Sequence, residues 1–223
     1  PVRCPPTLVP RVLAVSLARP AVPLCALRMV SQFGFSKEIE DCLLAPIPSH
    51  LFALELVVAG TIQGVRAGLF VLPCGRLIMG PIPGLELSNF GQILGIMILG
   101  GAAFSALGLL IGCAINPQQI GLMFSSIISP MIFFGCTYYP WSSLDRVPFM
   151  KWAVLINPLV YVAEGMRGAL TPNAPPMDLF VVSVALSALL LIFCHFGRLA
   201  FLNRALGSLS HTTGTAMPSK SSQ

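Results

Sequence analysis

The sequence predicts an all-α fold, a polytopic bundle of transmembrane helices. Three observations predict it. Charged residues are 9% of the 223 residues while apolar residues are 55%, against roughly 25% charged in a soluble domain. Mean hydropathy is +0.84. The stretch from Phe90 to Ile115 carries no charge and exceeds the ~20 residues a helix needs to cross a ~30 Å hydrocarbon core. So few charges cannot cover a water-facing surface. A typical soluble enzyme, a disordered chain and a nucleic-acid binder are thereby excluded. The net charge of +5 does not reverse this, because the 13 Lys and Arg are dispersed, without the clusters that track phosphates. They read as cations flanking membrane segments.

Residues 1–30 are apolar but broken by Arg3, Arg11, Arg19 and Arg28 and by Pro20 and Pro23. Their longest clean core, Leu13–Ala18, is too short for a secretory signal or a span. They are set aside as an atypical segment, at most a damaged span. The start at Pro1 reads as a fragment, a processed form or an incompletely called gene. Residues 33–50 hold Lys37, Glu38, Glu40 and Asp41, which exclude lipid. Lys37 to Leu44 predicts a short cytoplasmic helix, stopped by Pro46 and Pro48.

Leu51–Pro73 is the first plausible span. Glu55 lies near its end, and Arg66 lies deeper, where a charge costs a few kcal/mol. Arg66 either lines a pathway or snorkels and pairs inside the bundle. A Gly- and Pro-rich loop, Cys74–Asn89, precedes the clean span Phe90–Ile115, whose glycines and alanines suit close helix packing. After the Asn116–Gln119 turn comes a third span, Ile120–Tyr138, interrupted by Pro130 and Gly135. The loop Tyr139–Met177 holds two short helical stretches, Ser143–Leu155 and Leu159–Leu170. Neither can span, and both lie in the interface or re-enter under cover of protein or water. Asp178–Phe196 is the last span. Arg198, Arg204 and Lys220 follow without an acid, which places the C-terminus inside and the Tyr139–Met177 loop outside. The Ser/Thr-rich residues 206–223 read as a disordered cytoplasmic tail.

The seven cysteines never fall in C-x-x-C spacing, and His50, His195 and His211 are isolated. No metal site, disulfide framework or cofactor is expected. No phosphate-cradling G-x-x-x-x-G-K-[ST] and no G-x-S-x-G is present. Any active transport therefore draws its energy from another chain.

Three stretches, in order, carry a resemblance: FGFSKEIEDCLLAPIP at 33–48, SPMIFFGCTYYPWSSLD at 129–145 and VLINPLVYVAEGMRGALTP at 154–172. Together they resemble the membrane domain of the ABC type-2 exporter permeases, in particular the drug-resistance-like bacterial branch, over about residues 31–200. The resemblance implies a permease domain over 31–205 in the inner membrane. It implies pairing with a second permease, identical or not, a separate ATP-binding subunit and an outer re-entrant helical hairpin. Lys37, Glu38, Glu40 and Asp41 would then couple to the ATPase. Gly135 and Pro140 would break the fifth span, and Asn157 and Pro158 would start the returning half-helix. Tyr161, Glu164 and Arg167 would lie on that half-helix. Glu164 and Arg167 share a helical face, either in an outer gate or as a structural pair. The family's amphipathic N-terminal helix and first span are not visible, which reads as N-terminal truncation or alteration. Cys42 stands where the related branch tends to place Arg.

The expected function is a non-enzymatic permease for an amphipathic drug, lipid or glycan, with ATP hydrolysed on the partner. The competing class is a non-transporting membrane scaffold or permease remnant, motivated by residues 1–30. An intramembrane enzyme would need more convergent polar groups than the spans contain.

Overall fold

A computed structural model describes residues 8–31, 49–79, 87–114, 120–135, 149, 152, 154–170 and 177–215. Its long elements are all helical: α1 (Leu8–Ser31), α2 (Ser49–Met79), α3 (Leu87–Ala114), α4 (Ile120–Phe134), α5 (Pro158–Leu170) and α6 (Leu179–Thr215). Lys37, Glu38, Glu40, Asp41 and Pro140 lie outside the described residues, as does most of Ser143–Leu155.

Among the described residues, four helical stretches are long and apolar enough to cross a membrane: Val9–Ser31, Ala53–Leu77, Asn89–Ala114 and Leu179–Ala200. The first corrects the reading of residues 1–30. Leu8–Ser31 form a continuous helix through Pro20 and Pro23. Each proline removes one backbone hydrogen bond, a loss that neighbouring helices make tolerable inside a membrane bundle. The buried positions Val9, Leu13, Leu17, Ala21, Cys25 and Met29 recur at every fourth residue, while Arg19 and Arg28 point off that face. The apolar signal is a stripe rather than a run.

A second correction concerns Ile120–Tyr138. Helix α4 ends at Phe134 and has 15 residues, about 22 Å at 1.5 Å per residue, which is short of a crossing. A third concerns the Cys74–Asn89 loop: α2 runs on through Pro73 to Met79. A fourth concerns the tail. Helix α6 continues to Thr215, so residues 206–215 are helical.

Side-chain contacts fix the helix directions. A Cβ on Gly108 would lie 2.5 Å from the Val22 carbonyl oxygen, and one on Gly112 would lie 2.8 Å from Ala26 Cα. Helices α1 and α3 therefore run parallel and nearly touch backbones. Gly64 of α2 faces both Ala21 and Gly101, with Gly60 nearer Ser105 and Gly68 nearer Met97, so α2 runs opposite. Gly165 of α5 sits between Val182 and Ile96, and Gly197 of α6 meets Leu109, so α6 runs parallel to α3.

Parallel α3 and α6 need one net crossing between them. Helix α5 has 13 residues, about 20 Å, so neither α4 nor α5 suffices alone. Together they supply the crossing as two half-helices.

The core follows from this arrangement. Leu13, Leu17, Ile93, Met97, Phe104, Leu159, Met166 and Leu186 are fully enclosed. Helix α6 instead exposes Phe180, Val184, Leu191, Ile192 and Phe196, an apolar surface suited to lipid and not to water.

Gly108→Leu should lower the thermal midpoint in detergent by an amount corresponding to about 1–3 kcal/mol, the usual range for overpacking. Gly95→Leu, whose Cβ direction is open, should leave it unchanged. Equal midpoints for the two variants would refute the close α1–α3 crossing.

Candidate functional site at the junction of two half-helices

Helix α4 ends in a tightened turn. The Gly135 N–H donates to the Ile132 carbonyl at 3.4 Å, an i→i+3 bond that leaves the Met131 carbonyl without the Gly135 N–H that a continuing α-helix would give it. Asn157 Nδ2 donates to that Met131 oxygen at 2.6 Å. Asn157 Oδ1 accepts from the Leu159 N–H at 3.0 Å, which caps α5. Its own carbonyl accepts from the Val160 N–H at 3.2 Å. Pro158 occupies the first helical position, where its missing N–H costs nothing. One side chain thus ties the C-terminal end of one half-helix to the N-terminal end of the other.

Gly135 is required at this junction. A Cβ there would collide with Leu159 Cδ2 and approach Leu159 Cγ to 2.8 Å and the Met131 oxygen to 2.7 Å. The junction is at membrane depth. Asn157 and Pro158 line the same cavity as Leu107 of α3, which lies seven residues, about 10 Å, before the end of α3 at Ala114.

From the junction, α5 retraces the first half of α3. Val162 lies against Gly100, and Gly165 against Ile96. Asn89 Nδ2 donates to the Ala169 carbonyl at 3.5 Å and meets the last turn of α5. Packing against α1, α3 and α6 buries nearly every residue of α5. Tyr161, Glu164 and Arg167 are therefore all interior. Arg167 Nη1 donates to Glu164 Oε1 at 2.5 Å, with both side chains 3% exposed. The remaining guanidinium donors, Nε and Nη2, are buried without a hydrogen-bond partner.

Beside the junction is a cavity of about 680 Å³. Leu107, Ile127, Pro130, Phe134, Val154 and Phe193 line it, and Asn157 is its polar member. Its volume is within the ~300–1,000 Å³ of small-molecule pockets.

The structure therefore brings Gly135, Asn157 and Pro158 together at one point. Tyr161, Glu164 and Arg167 are carried on the helix that leaves it. Arg66 is not part of this group. It is exposed on α2, sharing that helix's outward surface with Glu55 and Gln63. The Met131 carbonyl and the lining residues on α3 and α6 were not identifiable in advance, because partners so distant in sequence leave no local spacing signal. Pro130 and Gly135 mark the break in α4, but not what would meet it.

Comparison with known proteins places these residues in a wider group. Residues 29–171 match the family described as ABC-2 type transporter. The chain is similar to the inner membrane transport permease YadH of Escherichia coli (strain K12), 28% identical over 151 residues, which are 66% of this chain and 57% of the relative. The YadH of Shigella flexneri gives the same figures. The chain thus spans less than two thirds of the length of these curated relatives. No solved structure matches it.

Asn157→Ala should release both ends of the junction. The lost cap is worth about 1 kcal/mol, and leaving the part-buried Met131 carbonyl unpaired up to about 1–3 kcal/mol more. Amide exchange over residues 158–170 should accelerate while that of α3 is unchanged. Asn157→Asp keeps the cap but loses the donor and should fall between. Exchange that rises equally in both helices would show a global rather than a junction effect.

Proposed function

The chain belongs to the ABC-2 type transporter family, and from that premise we propose that it is the membrane-spanning permease part of an ATP-driven exporter in the inner membrane. It works with a second permease and takes its energy from a separate ATP-binding subunit. Its cargo is amphipathic: a drug, a lipid or a glycan.

The observation that carries this reading is the broken helix pair beside an apolar cavity at membrane depth. Irregular backbone is tolerated there only where protein covers it or a cavity is lined. Two short helices joined by one side chain can change their mutual angle without unfolding either. In this reading Gly135, Pro140, Asn157 and Pro158 form the hinge of an outer gate, and Tyr161, Glu164 and Arg167 are the buried wall that it moves. The apolar cavity takes the hydrophobic portion of the cargo. Arg66, exposed at depth on α2, faces the partner permease or the aqueous path, since a charge turned to lipid is costly.

Residues 33–48 couple the bundle to the motor. Lys37, Glu38, Glu40 and Asp41 form a charged segment on the side where α1 ends and α2 begins. Such a segment suits contact with a soluble subunit, and ATP-driven movement there would shift α1 and α2 together.

The test is a pull-down from membranes with a cross-linker on Cys42, the other cysteines being replaced. A specific adduct to an ATP-binding protein is expected. A correctly inserted chain without any such adduct would overturn the exporter reading in favour of a scaffold. Lys37→Ala and Glu38→Ala should each lower transport severalfold at unchanged expression and insertion, measured as efflux from inverted vesicles. An unchanged rate would remove both residues from the coupling role.

A further inference from the structure

Among the described residues, the guanidinium of Arg167 is used on one nitrogen only. Nη1 pairs with Glu164, while Nε and Nη2 are buried without a partner. These two nitrogens make one edge of the planar group, with two N–H vectors side by side. That edge matches two oxygens of a phosphate or carboxylate. Two residues before Arg167 on α5, Gly165 lies against Val182 of α6 and Ile96 of α3, and the Arg167 side chain is only 3% exposed. A guanidinium edge left unpaired in such surroundings is unfavourable, whereas an arriving oxyanion satisfies both donors together.

We infer that the empty edge of Arg167 is a recognition site for an anionic oxygen group, phosphate or carboxylate, at the head of an amphipathic molecule. The inference rests on the permease reading and narrows its cargo class to anionic amphiphiles. Its position fits that role. Arg167 is one turn from the end of α5 at Leu170, and Asn89 meets that end through the Ala169 carbonyl. The apolar cavity lies at the opposite end of the same helix, nine residues from Arg167 to Pro158, or roughly 13 Å. Charge recognition and apolar accommodation thus sit at the two ends of one half-helix. Access requires α5 to part from α6, the least enclosed of the spanning helices. Glu164 sets the strength of the site, because its carboxylate already neutralises part of the guanidinium.

The experiment uses the full chain in phosphatidylcholine nanodiscs, with the thermal midpoint followed as ligand is added. Dioleoyl phosphatidic acid should raise the midpoint saturably. Dioleoylglycerol, with the same tails and no phosphate, should not. Arg167→Lys keeps the charge but loses the two-pronged edge, and its apparent affinity should be about tenfold weaker. Glu164→Gln, which removes the competing carboxylate at constant size, should bind more tightly, so the inference stays testable if the arginine variant fails to fold. Inorganic phosphate alone producing the same shift at the same concentration would overturn the amphiphile assignment and leave a free-oxyanion site. Equal response to dioleoylglycerol, or a Glu164→Gln affinity equal to wild type, would overturn the inference. Binding needs neither motor nor transport. A negative result here with a positive Cys42 adduct would reject the cargo class and leave the permease reading standing.

Discussion

Everything about this bundle depends on one constraint: inside hydrocarbon, each backbone N–H and C=O must find a partner within the protein. Continuous helices meet it automatically. The difficulty arises between α4 and α5, where two helix ends meet at depth, one offering carbonyls and the other N–H groups. Asn157 resolves both. Its amide oxygen accepts from Leu159, and its amide nitrogen donates to Met131. A serine would cap well but brings a single hydroxyl hydrogen, and an aspartate has no donor when ionised. Only an amide carries an acceptor and a separate NH₂, and asparagine has the short reach that capping requires. Gly135 completes the solution by leaving room for Leu159.

Helices α1 and α3 form the centre of the bundle: α1 meets α2, α3 and α5, and α3 meets α1, α2, α5 and α6. Lipid tails are as apolar as leucine, so burying apolar surface against another helix gains little by itself. Close packing must hold the helices together. The approach of Gly108 and Gly112 to the backbone of α1 serves that need, as does the cluster of Cys25, Gly60 and Ser105. There the Cys25 thiol donates to the Leu56 carbonyl at 3.2 Å.

The all-α membrane class was legible from composition alone, and Phe90–Ile115 and Asp178–Phe196 from uninterrupted apolar length. The half-helix from Pro158 was legible from Asn157-Pro158, since a capping residue followed by proline is a local start signal. Helix α1 was hidden because its evidence is periodic. Arg19 and Arg28 break every long window, yet they fall off the every-fourth-residue stripe from Val9 to Met29. Counting that period would have found it. Ile120–Tyr138 misled for the opposite reason: an apolar run continues to Tyr138, but the Gly135 turn stops the helix inside it. The pairing of Asn157 with Met131 was beyond local reading, because it joins residues 26 apart whose approach is set by the tertiary fold.

The placement of the Glu164–Arg167 pair has a mechanical consequence. A buried ion pair that bridges two helices resists their separation, because parting them strands a charge in a low-dielectric interior at a cost of about 3–5 kcal/mol. Here both members belong to α5, three residues apart. The pair travels with its helix, so this interaction ties α5 to none of its neighbours. Apolar contact with α1, α3 and α6 helps to hold α5 in place, together with Asn157 at one end and Asn89 at the other. Apolar contacts can slide, and a single amide can pivot. A helix that carries this ion pair within its own length can shift against non-directional packing without parting the two charges.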